Sequence, residues 1–108
     1  MIHSKIDLLK VRTKKEAKQI IEIYKKMAIE SQQLFQKSFG FKKVDKWHLE
    51  LLLGRNLLEV SIKELVDSVS YSIRFFHEEE NDLIYQGESL QTAYYATKYF
   101  LKKWRDQQ

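Results

Sequence analysis

The chain contains no cysteine and no proline in its 108 residues, and it has only three glycines. The lack of cysteine excludes disulfides, thiolate nucleophiles and cysteine-based zinc sites. Proline and glycine are the residues that most often interrupt helices. Their scarcity therefore favours long helices joined by short connections.

Long apolar segments are missing as well. No run of aliphatic residues is longer than Leu51-Leu52-Leu53, whereas a membrane-spanning helix needs about 20 apolar residues. The first residues, Met1 to Asp7, lack the apolar core of a signal peptide. We therefore expect a cytoplasmic protein with no integral association with a membrane.

The composition does provide material for one folded domain. Hydrophobic residues make up 44% of the chain and charged residues 31%, which suits an apolar core with a water-facing exterior. A chain of 108 residues is long enough for a single core and too short for two.

The first predicted helix runs from about residue 14 to residue 39. Thr13-Lys14-Lys15-Glu16 has the pattern of a capping box, in which two side chains satisfy free backbone N–H groups. Apolar residues then recur at steps of three and four as far as Phe35, and Gly40 is a natural stop. Residues 1–12 show no clear period and are expected to form a partly ordered N-terminal arm.

Two further helices are predicted in the middle of the chain. Asp45 is a suitable N-cap, and helical spacing continues from Trp47 to Leu58, with Gly54 either inside that helix or at its end. Ser61-Ile62-Lys63-Glu64 is a second capping box. A helix over residues 62–79 is then predicted from a stripe at helical spacing, formed by Ile62, Leu65, Val66, Val69, Ile73 and Phe76.

A fourth helix is predicted near the C-terminus. An acidic run at residues 78–82 and a connection at residues 83–87 precede Ser89, which can cap a helix with apolar residues from Leu90 to Trp104 on one face. The predicted fold is therefore all-α, a four-helix bundle-like single domain over residues 13–108.

Charge is unevenly distributed. Residues 1–44 hold eleven Lys or Arg and four acids, whereas residues 45–80 hold four bases and eight acids. Such a layout is typical of solvated outer faces that complement one another, and it also suits a basic surface for an anionic partner.

The chain offers little for catalysis. His3, His48 and His77 are far apart, and Asp45 with His48 is a single D-x-x-H pair, whereas a di-metal helical site needs several such ligands. There is no phosphate-binding glycine loop, no dinucleotide fingerprint and no nucleophile elbow. We therefore expect no enzymatic activity, no metal site and no cofactor.

A helix-turn-helix unit is the main alternative for DNA recognition. In one version the unit begins at Val60 and has its turn at residues 70–72. In a second version the turn lies at residues 54–56 and the recognition helix begins at Ser61. The apolar stripe passes through the first turn without a break. The recognition helix would present Phe75, Phe76 and three glutamates, which are poor ligands for phosphate. One continuous helix is the preferred interpretation.

Two groups of side chains are candidate binding surfaces. Aromatic and basic residues alternate on the last helix and around the Gly40 turn, and this mixture suits docking on a protein or stacking on bases. The candidate partner-binding residues are Tyr95, Lys98, Tyr99, Lys102, Phe39 and Phe41. The candidate nucleic-acid-binding residues of the basic first helix are Lys14, Lys15, Lys18, Lys25 and Lys26.

Three functional hypotheses follow from these observations. The first is a non-enzymatic binding or regulatory protein that contacts another protein, or a second copy of itself as a homodimer. The alternative is a nucleic-acid-binding protein that uses the basic first helix and the C-terminal Lys/Tyr face. The third is a bacteriocin-immunity-type helical protein, suggested only by small size and basic charge.

Overall fold

Two helices and a five-stranded antiparallel sheet make up the fold, which a computed structural model describes for residues 14–108. In chain order the elements are α1 (Lys14–Phe39), β1 (Lys42–Lys43), β2 (His48–Leu53), β3 (Asn56–Glu64), β4 (Val69–His77), β5 (Glu80–Gly87) and α2 (Leu90–Asp106). The strands follow one another across the sheet in the order in which they occur in the chain, each antiparallel to the next.

The two central strands, β3 and β4, bury every second residue over most of their length. In β4, Val69, Tyr71, Ile73 and Phe75 are all buried, and the residues between them are half-exposed. Alternation with a period of two is the mark of a strand with one covered face, because successive side chains point to opposite sides of the sheet. Val69 and Ile73, which the helical stripe also placed in the core, are therefore buried for a different reason.

The prediction of an all-α four-helix bundle is wrong. The segment predicted as a second helix forms β2 and the start of β3, and Gly54 lies in the turn between them. The segment predicted as a helix over residues 62–79 forms the end of β3, a loop and β4, so the helix-turn-helix alternative fails as well. The connection predicted at residues 83–87 belongs to β5.

Tight turns connect these strands. Gly54 and Arg55 form a two-residue loop between β2 and β3, and Gly54 has a φ of 65°. Glu78 and Glu79 form the corresponding loop between β4 and β5, and Glu78 has a φ of 53°. Positive φ at the first loop position matches the hairpin turns whose twist agrees with that of the strands. Asp45 does accept the backbone N–H groups of Trp47 and His48, but a strand follows this turn.

Both helices occur where the sequence predicts them. α1 spans residues 14–39, and Gly40 has a φ of 79°, the left-handed conformation that ends many helices. Ser89 caps α2 by accepting the N–H of Thr92 through its side-chain oxygen. The predicted cap at Thr13 and the predicted arm at residues 1–12 lie outside the described residues.

The helices pack on the same face of the sheet. The buried part of α1 is joined to the sheet by hydrogen bonds. The Ser31 hydroxyl lies 2.8 Å from that of Tyr71 in β4. Gln32 Nε2 donates to the carbonyl of Ile62 in β3 at 3.4 Å, and to that of Lys46, in the loop before β2, at 2.6 Å. α2 covers the other end of this face, where Phe100 and Trp104 contact the ring of Phe75. The opposite face of the sheet is covered by neither helix.

Candidate partner-binding surfaces

The outer side of α2 presents aromatic and basic side chains to solvent. Tyr95 is 56% exposed and Tyr99 61% exposed. The Lys98 ammonium lies 6.0 Å from the centre of the Tyr95 ring, and the Lys103 ammonium lies 5.1 Å from that of Tyr99. We call Tyr95, Lys98, Tyr99 and Lys102 the α2 face. These are four of the six residues predicted to bind a partner, and they lie together on one surface.

A groove of about 450 Å³ lies beside this face, between α2 and the edge strand β5. Phe75, Ile84, Phe100 and Trp104 form much of its apolar lining, while Tyr99, Lys103 and Asp82 also border it. Because Tyr99 belongs both to the groove and to the α2 face, the two form one surface. This combination of an apolar depression with aromatic and basic neighbours suits the anchoring of a protein partner.

His77 contacts two of the residues that line the groove, Phe75 and Asp82. Its ring stacks on Phe75 with 5.1 Å between the ring centres, and its Nε2 lies 2.9 Å from a carboxylate oxygen of Asp82. The groove was missed at the level of sequence, because the predicted fold assigned Phe75 and His77 to a helix. The alternating pattern from Val69 to Phe75 is the signal that would have located them on a strand.

Phe39 and Phe41 are not part of an open surface. Phe41 is only 4% exposed, and both rings pack against Phe35. Phe39 also contacts Tyr94 of α2, with 5.1 Å between the ring centres. Phe39 therefore joins α1 to α2 at the border of the core, and Phe41 packs inside it.

The lysines predicted to bind nucleic acid are all exposed, and they lie on the first half of α1. The buried residues of this helix are Ala28, Ser31, Gln32 and Phe35, so none falls among residues 14–27. We call residues 14–27 the α1 overhang. From Phe39, which contacts α2, to Lys18 the helix rises by about 30 Å. The structure therefore does not bring the basic first helix and the α2 face together.

A second apolar surface lies where the overhang meets the loop between β3 and β4. Ile21, Leu65 and Val66 are 42%, 44% and 46% exposed, and with Glu64 and Asp67 they line a shallow depression of about 550 Å³. The Leu65 N–H donates to the carbonyl of Ser68 at 2.7 Å, which holds the loop in a turn. The predicted helical stripe placed Leu65 and Val66 in the core, whereas the structure places them at the surface.

Two ionisable groups have altered pKa values for structural reasons. The backbone N–H of Trp47, followed by the side chain of His48, holds the pKa of Asp45 below its usual value. Burial raises the pKa of the Tyr71 hydroxyl. Neither group lies in the groove or on the α2 face.

Within residues 14–108 no group of three or more His, Asp or Glu side chains is arranged to hold a metal ion. Neither helix of that range is long and apolar enough to cross a bilayer. The chain matches no known protein family, no curated protein and no solved structure.

Proposed function

We propose that this chain is a non-enzymatic binding protein that contacts another protein through the α2 face and the adjoining groove. The observation that carries the proposal is the exposure of Tyr95 and Tyr99 on a helix whose opposite side is buried, directly beside an apolar groove. Tyrosines lose little conformational entropy on binding and combine a large apolar area with a polar group. For these reasons they often dominate protein interfaces.

The surroundings of the groove add to this proposal. Among residues 14–108, β5 is an edge strand, so one side of its backbone has no strand partner there, and it borders the groove opposite α2. The lysines of the α2 face would contribute to the polar rim of an interface, where charges direct association more than they add affinity.

The test is a comparison of variants that retain the fold. Tyr95→Ala combined with Tyr99→Ala removes both aromatic side chains, and Ile23→Ala, at a similarly exposed position on the α1 overhang, is the matched control. Proteins captured from a nuclease-treated lysate by the immobilised wild-type chain and by both variants are quantified by mass spectrometry. Candidates lost only with the double variant are then purified for calorimetry.

We expect a purified partner to bind the wild type and the control equally, and to bind the double variant at least tenfold more weakly, about 1.4 kcal/mol. A partner whose affinity is unchanged in the double variant, or the absence of any partner bound by the purified chain, contradicts the proposal.

Nucleic-acid binding is the second candidate, and the exposure of all five lysines on the α1 overhang favours it. Binding of this kind would rest on phosphate neutralisation, so the affinity would fall steeply with salt and depend little on sequence. Lys18→Glu with Lys25→Glu would nearly abolish it, and the tyrosine substitutions would have little effect. Tight, salt-sensitive binding with this pattern would replace the first proposal. The immunity-type hypothesis was an analogy of size and charge with small helical bundles, and the five-stranded sheet removes the helical part of that analogy.

A further inference from the structure

We propose that the partner binds as an extended segment that adds a strand to the edge of β5, with a large apolar side chain in the groove and an acidic side chain beside Lys103. The inference rests on the proposed function, because it names the class of partner for the same groove. Three observations carry it: an unprotected sheet edge, a flank of α2 that faces this edge across the groove, and a cation at the groove with no acidic partner.

The two edges of the sheet differ in how well they are protected. β1, at one edge, is two residues long, and both are lysines. β5, at the other edge, is eight residues long and contains neither lysine nor proline, which are the residues that most often keep an edge from pairing. Its stretch from Leu83 to Gln86 carries no charge. This edge therefore offers backbone groups for main-chain hydrogen bonds to an added strand.

An irregularity in the pairing of β5 directs one side chain to the groove. Ile73 and Arg74 are adjacent in β4, but their partners in β5 are Tyr85 and Leu83, so Ile84 is an extra residue. A bulge of this kind re-aims a side chain, and Ile84 lines the groove. The bulge also increases the local twist of the strand, so we expect pairing with a short segment only.

One flank of α2 lies along the groove. Ala96, Tyr99, Lys103 and Gln107 follow one another at steps of three and four, so they share one side of the helix, and all four line the groove. A strand added to the sheet would lie about 4.8 Å from β5, and every second side chain of that strand would point to the face that carries α2. Since Ala96 is small, the groove of about 450 Å³ has room for a large apolar side chain of the partner.

The charge at the groove favours an acidic partner. The Lys103 ammonium lies 5.1 Å from the centre of the Tyr99 ring, and it forms no ion pair with any residue between 14 and 108. Asp82, the one acid among the lining residues, is bonded to His77 at 2.9 Å instead. A carboxylate brought by the partner would therefore meet a cation that this part of the chain leaves unpaired.

These positions predict a pattern for the segment. Side chains on one face of a strand are two residues apart, or about 6.8 Å. Tyr99 and Lys103 are four residues apart on α2, or about 6 Å along the helix. An apolar residue beside Tyr99 and Ile84, and an acidic residue two positions away, can therefore reach the apolar lining and Lys103 together. We expect an apolar and an acidic residue with one residue between them.

A display library of short random peptides tests this pattern. Peptides are selected on the immobilised full chain, and the enriched ones are synthesised and measured by fluorescence polarisation. We expect enrichment of a large apolar and an acidic residue two positions apart. Methylating the backbone amides one at a time should weaken binding by about tenfold or more at every second position and change it little between them, because only alternate amides of an added strand point to β5.

Charge reversal shows whether the groove is the site. Lys103→Glu should weaken the binding of an acidic peptide by about tenfold or more, and replacing the acid of the peptide by lysine should restore it. Arg105→Glu is the matched control. It makes the same change in charge on the same helix, outside both the groove and the α2 face, and should leave the affinity within about threefold. Circular dichroism confirms that both variants keep the fold.

The inference is overturned if no peptide is enriched or if the enriched peptides have the spacing of an amphipathic helix. Amide methylation without alternation, or an equal effect of Lys103→Glu and Arg105→Glu, overturns it as well. A chain whose own β5 edges pair in a dimer, detected by sedimentation, assigns the edge to a second copy instead. A protein partner that requires Tyr95 and Tyr99 but binds Lys103→Glu as it binds the wild type excludes strand addition and retains the proposed function.

Discussion

The hydrogen bond between Ser31 and Tyr71 allows a quantitative test of how α1 is held on the sheet. The Ser31 hydroxyl donates to the carbonyl of Met27 at 2.8 Å. Since a serine hydroxyl has one hydrogen, its oxygen accepts the hydrogen of the Tyr71 hydroxyl, which lies 2.8 Å away. Tyr71 is 1% exposed and Ser31 2% exposed, so water cannot replace either partner without a rearrangement.

The two single substitutions should therefore differ. Ser31→Ala leaves the buried Tyr71 hydroxyl without an acceptor, which costs about 1–3 kcal/mol, and the better helix propensity of alanine offsets about 0.5 kcal/mol. Tyr71→Phe removes the hydroxyl itself and leaves Ser31 bonded to Met27, so its cost should be at most about 1 kcal/mol. The double variant should be no less stable than Ser31→Ala.

Urea unfolding followed by circular dichroism measures these differences, and a double-mutant cycle isolates the coupling between the two side chains. We expect a favourable coupling free energy of about 1–2 kcal/mol. If Tyr71→Phe destabilises the chain more than Ser31→Ala, or if the two effects are additive, the donor assignment and the burial argument are both wrong.

The same pair predicts a dependence on alkaline pH. Burial raises the pKa of Tyr71 in the folded chain. Above about pH 10 an unfolded tyrosine releases its proton, whereas the folded one retains it. The unfolded state then binds fewer protons, so the free energy of unfolding falls as the pH rises. The contribution of Tyr71 to the free energy of unfolding is therefore fully present below the unfolded pKa and is lost as the pH rises above it. Tyr71→Phe should remove the part of the stability loss at alkaline pH that is due to this residue.

Three other predictions concern local structure. Ile73→Ala should lower the free energy of unfolding by about 2–5 kcal/mol, because Ile73 is fully buried. Leu65→Ala should lower it by less than about 1 kcal/mol, because Leu65 is exposed. Equal melting temperatures of the two variants would contradict the strand assignment. Ser89→Ala should cost about 1 kcal/mol through loss of the cap of α2, measured by thermal unfolding, with Ser89→Gly retaining most of the stability. Asp45→Asn should lower the free energy of unfolding near neutral pH, because a carboxylate whose pKa is lowered in the folded chain stabilises the fold at pH values above its unfolded pKa of about 4. The variant should therefore lose less stability than the wild type as the pH falls. An unchanged acid profile would show that the Asp45 carboxylate contributes nothing to stability.

The two helices could be predicted from local signals because their ends depend on neighbouring residues alone. Gly40 stops α1 through its positive φ, and Ser89 caps α2 through a hydrogen bond three residues away. The exposed α2 face follows from the same reasoning, because the core side of an amphipathic helix also defines its outer side. Tyr95, Lys98, Tyr99 and Lys102 could therefore be placed together without knowledge of the sheet.

The sheet was missed because two periods fit the same residues. Ile62, Val69, Ile73 and Phe76 match a helical stripe, but Ile62 and Val69 belong to the covered face of two different strands and Phe76 to the open face. Alternation from Val69 to Phe75, rich in β-branched and aromatic residues, was the stronger signal. The scarcity of proline and glycine favoured long helices over this signal. Two-residue loops such as Glu78-Glu79, however, connect strands without either residue.

By itself the sequence determined the extent of both helices and the basic character of the first one, because these properties depend on residue type and on contacts within a few positions. Only the tertiary structure decided what each apolar residue faces. Phe41 and Phe75 contact residues of the helices, Leu65 and Val66 lie exposed in a loop, and the first half of α1 has no fully buried residue. Strand pairing joins residues far apart in the chain, so the groove between β5 and α2 exists only once the register of the sheet is set.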